Sequence, residues 1–294
     1  MRRLAAAWLR RAVSVTVLLG SGGVAAFETA DHQFMTFLDA KQFNRCVEGT
    51  EIPPLTPLQV RYMARANTGL IDRSLFARMF NWRYYDRAGQ SEQSVMWLVD
   101  TRFHDHYNEL SGRLSNDADP VDAYQDLGRI LSYVQLVSSP ARVVPVYTAR
   151  FWRFSFSDRF DSYRLDEAAL TAAIEGDCRF LGEPFGGYQE ILGAVANRTM
   201  AAVRSPIDGL PAAWTAFWMP SEDPGSFGDY GPAGNSFGRR TEFRCGSDQR
   251  CVLLNDDPLY LEFALERHLD AVRGTLSAIL LMQLDRQETV ASVR

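Results

Sequence analysis

Apolar positions recur at helical spacing along most of this chain, in separated blocks. Residues 27–40, FETADHQFMTFLDA, read as a short opening helix, and CVEGTEIPPLTP reads as the loop after it. Over 55–82, Leu58, Val60, Met63 and Ala64 keep roughly helical spacing, with Thr56 as cap and Pro57 at the first position. Residues 91–114 predict an amphipathic helix with Val95, Leu98, Phe103 and Leu110 on its apolar face. Residues 119–137 predict another, capped by Asp119 or Asp122 and striped by Leu127, Ile130, Leu131 and Val134. Further helices are expected over 165–177 and 188–205, and a long, strongly apolar one over 257–284.

The pattern breaks between residues 216 and 252, which are rich in Gly, Pro and aromatic side chains. This stretch predicts an irregular insertion ending in a hairpin. The expected fold is therefore all-α: a single multi-helix domain over 27–294 with an irregular, disulfide-clipped insertion before the last helix. A hydrophobic content of 46% is enough to fill one such core.

The first 26 residues follow another logic. MRRLAAAWLRR is basic, AVSVTVLLGSGGVAA is apolar but short and broken by Gly, and the stretch ends in small residues. This is the layout of a signal peptide cleaved after about Ala26, and it predicts a periplasmic or secreted bacterial protein. Removing it takes away Arg2, Arg3, Arg10 and Arg11 and no acid, so the formal net charge goes from −5 to −9. A chain that negative carries no strong nucleic-acid or membrane-surface signal.

Four cysteines in an exported chain predict two disulfides, for which three pairings are possible. Cys245 and Cys251 flank the turn-like GSDQR, which favours a local bridge and leaves Cys46 with Cys178. Histidine is scarce. His104 and His106 lie two apart on a predicted helix, face nearly opposite ways and cannot chelate one ion as a pair. His268 is expected at the surface or the core edge.

Several stretches occur in the order of one superfamily: FETADH, ANTGLIDRSLFARMFNWRYYD, LGRILSYVQLVSSPARVVP and SDRFDSY. Through them the chain resembles the bacterial zinc-dependent phospholipase C and fungal-type single-strand-specific nuclease superfamily, up to about residue 163. The resemblance implies a helical scaffold with three zinc ions, bound in part by the mature amino terminus, here Phe27. It places the other metal positions at His32, Asp72, Arg83, Ser132, Leu136, Arg142, Ser157 and Asp161. Of these, only His32, Asp72 and Asp161 keep a usable ligand. Leu136 supplies none and Ser132 a weak neutral one, too few for three ions that each need about four donors.

The leading expectation is thus a pseudoenzyme: an exported protein with that scaffold, without three-zinc catalysis and without a cofactor, that binds a partner. Arg83 and Arg142 would balance Asp72 and Asp161 in an Arg–Asp network and could bind a small phosphate-bearing ligand. A protein partner could instead use the Gly/aromatic segment 220–240. Two alternatives stand beside it. One is a phosphodiester hydrolase, of phospholipase C or nuclease type, with zinc in a rebuilt site of His32, Asp72, Asp161 and His104 or His106. The other is a structural or accessory envelope protein.

Overall fold

A computed structural model describes residues 29–71, 83–85, 87, 102–114, 119–146, 157–182, 185–246 and 249–292. The expected signal peptide, Phe27, Asp72 and the first part of the helix expected over 91–114 lie outside these residues. Eight α-helices are described: α1 Thr29–Cys46, α2 Pro57–Ile71, α3 Phe103–Leu114, α4 Pro120–Leu136, α5 Pro140–Val143, α6 Glu167–Ile174, α7 Tyr188–Arg204 and α8 Pro258–Ser292. Also described are four short strands, β1 Trp218–Met219, β2 Asp229–Tyr230, β3 Thr241–Arg244 and β4 Arg250–Leu253, and three short 3-10 helices, Phe160–Ser162, Arg179–Leu181 and Trp214–Ala216.

The helix starts follow capping chemistry. Thr56 Oγ1 accepts from Gln59 N at 3.3 Å while Gln59 Oε1 accepts from Thr56 N at 2.7 Å, a reciprocal box ahead of Pro57. Asp119, not Asp122, caps α4, its carboxylate accepting from Val121 N at 2.8 Å. The opening helix is longer than its sequence pattern suggests: α1 runs to Cys46, because Phe43 and Cys46 still face the core.

Helix α4 is the axis of the molecule. Twelve of its seventeen residues are buried, including Leu127, Ile130, Leu131 and Val134. Helix α2 lies so close along it that a Cβ on Gly128 would overlap the Met63 carbonyl. On the other side a Cβ on Gly274 of α8 would meet Val134 and Val195, so α4, α7 and α8 also pack at close range.

The fold is mostly helical but not all-α. Within 216–252, β1 pairs antiparallel with β2, and β3 with β4, forming two separate two-stranded sheets. The segment is also no loose excursion. Trp214, Trp218 and Phe237 pack on Phe263 of α8, with ring centroids 4.3, 5.8 and 5.8 Å away. These large side chains are buried and extend the helical core into the sheets. Short strands suffice there because the aromatic rings, rather than long ladders, hold the segment down.

Both disulfides have the favoured pairing: Cys46–Cys178 joins α1 to the chain beyond α6, and Cys245–Cys251 clips the β3–β4 hairpin. Two disulfides fit an oxidising compartment. Among the described residues no helix is long and apolar enough to cross a membrane.

Candidate functional site

The site positions gather around the C-terminal half of α4, in two neighbouring polar clusters. The first lies between α1, α2 and α4. His32 is fully buried, and its Nδ1 is 2.5 Å from Gln135 Oε1. Asn67 Nδ2 donates to Thr36 Oγ1 and to the same Gln135 oxygen, both at 2.9 Å. Thr36 gives its own proton to His32 O at 2.9 Å, so it must accept from Asn67. That fixes the Asn67 amide, then the Gln135 amide, and leaves the proton of His32 on Nδ1. Burial lowers the His32 pKa from 6.5 to about 4; the Arg142 charge adds to this and the Gln135 bond opposes it. The ring is therefore neutral at neutral pH.

Ser132 is also fully buried on α4, and its hydroxyl has no partner among the described residues. Leu136 is buried, 8% exposed. His268 is buried, contrary to the expectation of a surface or core-edge position: α8 turns it inward, 5.9 Å from the Phe160 ring. Burial, His32 and Arg267 together lower its pKa to about 3.

The second cluster lies where α4 ends. Ser139 precedes Pro140 at the start of α5 but does not cap it; its hydroxyl donates to Asp161 Oδ1 at 2.6 Å. Arg142, one turn on, donates through Nη2 to Asp161 Oδ2 at 3.3 Å and through Nη1 to Arg83 O at 3.1 Å. Tyr85 N in turn donates to Arg142 O at 2.8 Å, so Arg142 holds the 83–85 segment at two points. The Arg83 guanidinium lies over the Tyr133 ring, 5.4 Å from its centroid.

Half of the expected Arg–Asp network is thus present as a largely buried Arg142–Asp161 pair, with side chains 20% and 4% exposed. The Asp72 half lies outside the described residues. Ser157 contributes its backbone oxygen, which accepts from Asn235 at 3.0 Å.

Sequence reasoning missed Asp158, although SDRFDSY contains it. Asp158 is 2% exposed and accepts from Phe160 N at 2.8 Å, Trp218 Nε1 at 2.9 Å and the Tyr230 hydroxyl at 2.8 Å. Burial and the Asp161 charge raise its pKa from 3.8 to about 6, against the pull of these three donors. Trp218 and Tyr230 come from β1 and β2, and Gly228 beside them donates to Val144 O at 3.1 Å, which docks this ribbon on the end of α5. The insertion therefore builds one wall of the cluster. No residue spacing within the sequence could show that, since the partners of Asp158 lie 60 and 72 positions away. Gln135 and Asn67 were missed for the same reason.

These residues do not fit a three-zinc cluster. Leu136 offers no donor, Arg142 brings positive charge where the resemblance expects a ligand, and both oxygens of Asp161 are engaged. The side chains of His104 and His106 project from α3; His104 packs edge-on against Tyr85 at 4.9 Å. No group of three or more His, Cys, Asp or Glu placed to hold a metal ion occurs among the described residues. No family model, no curated protein and no solved structure matches this chain.

Proposed function

We propose that this chain is an exported binding protein on a phospholipase C/nuclease-like scaffold, with Arg142 in place of a metal ligand and a small phosphate-bearing molecule as its ligand. One observation carries the reading. Arg142 is held in place by Asp161 and the Arg83 carbonyl, yet its Nε–H is buried without a partner among the described residues. A buried, immobilised guanidinium with an uncommitted donor favours an added anionic acceptor. Ser132 on α4 itself and Asp158, three residues before Asp161, are both buried polar groups.

Calorimetric titration of the mature protein with inorganic phosphate and with bis(p-nitrophenyl) phosphate, alongside zinc analysis, tests this. The expected result is saturable binding without hydrolysis, less than about one zinc per chain, and loss of binding in Arg142→Gln. Stoichiometric zinc with phosphodiester cleavage would instead establish the hydrolase with a rebuilt site. Absence of phosphate binding would leave the accessory envelope role.

A further inference from the structure

A separate groove of about 310 Å³ lies on the α7–α8 face, beside the Cys46–Cys178 bridge. Three arginines and two aspartates line it, and no residue of the Arg142 cluster does. Its polar groups are arranged in two units. Asp177 takes both Nε and Nη2 of Arg179, at 2.8 and 2.6 Å, and only Nε of Arg273, at 3.2 Å. Asp270 takes Nε of Arg198 at 2.8 Å and Nη2 of Arg267, from outside the groove lining, at 2.8 Å.

The consequence lies in which nitrogens are used. A guanidinium offers five N–H donors in a fixed plane. Arg198 and Arg273 each commit Nε to an aspartate, and the Nη groups of both have no partner among the described residues. The aspartates orient the two forks without consuming them. Arg198 comes from α7 and Arg273 from α8, and their side chains are 42% and 36% exposed, so solvent reaches the Nη edges. Apart from Ser277, the rest of the lining is apolar: Phe180, Phe185 and Leu276.

The geometry points to a binding site for a small carboxylate with an apolar body. Two preset guanidinium forks match a planar, two-oxygen acceptor. With Arg267, four arginines meet two aspartates, an excess of positive charge that favours an anion, and the apolar lining favours an acid with an apolar body over inorganic phosphate. The rings of Phe180 and Phe185 supply the apolar contact, and the volume is at the small end of the range for ligand pockets.

The test is isothermal titration of the mature protein with 4-phenylbutyrate at low salt. Saturable binding is expected, weakened about tenfold or more in the Arg198→Gln/Arg273→Gln variant, since each loses a charged hydrogen bond. The uncharged amide, 4-phenylbutyramide, is expected to bind about tenfold or more weakly for the same reason. Arg142→Gln should leave binding unchanged, which separates this site from the one proposed above. If the double glutamine variant does not fold, Arg198→Lys/Arg273→Lys decides: it keeps the charges but loses the forks, so weaker binding is expected. No saturable binding to the wild type, equal affinity for acid and amide, undiminished binding in the folded variant, or competition by inorganic phosphate as strong as by the carboxylate would each overturn the assignment.

Discussion

Gln135 takes the Nδ1 proton of His32 at 2.5 Å, inside the protein and 103 positions away in the chain. The bond orients an imidazole that burial keeps neutral, and a second buried ring, His268, has its pKa lowered by burial first and by His32 and Arg267 after it.

Stability should therefore depend on pH with a definite sign. Both rings have folded pKa values, about 4 and about 3, below the ordinary 6.5. Between about pH 4 and 6.5 the unfolded chain binds protons that these rings refuse, so they stabilise the fold above that window and lose this contribution as pH falls through it. Asp158 acts the other way: raised from 3.8 to about 6, it favours the folded state at low pH, and this is lost as pH rises through 6. Asp39, fully buried, acts as Asp158 does, because burial raises its pKa well above 3.8. Two carboxyls thus oppose two rings, and the rings should show as a difference: by urea unfolding, the stability of the wild type relative to His268→Gln should rise from about pH 4.5 to 6.5, and a difference that does not change with pH would refute the account.

Removing Arg142 leaves Asp161, 4% exposed, with Ser139 as its remaining partner in the cluster. Arg142→Ala should cost about 3 kcal/mol, the scale for stranding one member of a buried pair. Arg142→Ala with Asp161→Asn should recover part of it. Equal destabilisation in the single and double variants, by chemical denaturation, would show that the pair is not the source.

Gly128→Ala should be severe for a helical glycine. Helix propensity alone would favour alanine by about 1 kcal/mol. The new methyl group would meet the backbone of Met63, which cannot rotate away, so α2 and α4 must separate. The melting temperature should fall, and a rise would mean the two helices have slack at that contact.

The two disulfides should differ in weight. Cys46–Cys178 spans 132 positions and Cys245–Cys251 six. Loop-closure entropy gives about 5 kcal/mol for the first and about 2 kcal/mol for the second. Paired Cys→Ala variants, compared by denaturant midpoint, should follow that order.

The helices were legible where the apolar stripe is regular and a cap marks the start, as at Thr56–Pro57 and Asp119–Pro120. The end of α1 was not, because the run from Lys41 to Cys46 mixes polar residues with the buried Phe43 and Cys46. The strands in 216–252 were legible only as a hairpin at Cys245–Cys251; β1 and β2 are two residues each, too short for a period to appear. At the candidate site, Arg142 and Asp161 were named through the resemblance, and the structure pairs them. Asp158, Gln135 and Asn67 owe their roles to tertiary partners. His268 is buried although Arg267 and Asp270 stand beside it in the sequence, because those two pair with each other at 2.8 Å under cover.

The Cys46–Cys178 bridge makes a covalent ring out of everything from the end of α1 to the turn after α6. A protease cutting any loop within that ring opens it without releasing a fragment. The nicked chain would migrate as one species on a non-reducing gel and separate into two pieces only once the bridge is reduced, so cleavage in the compartment where the protein works need not end its working life.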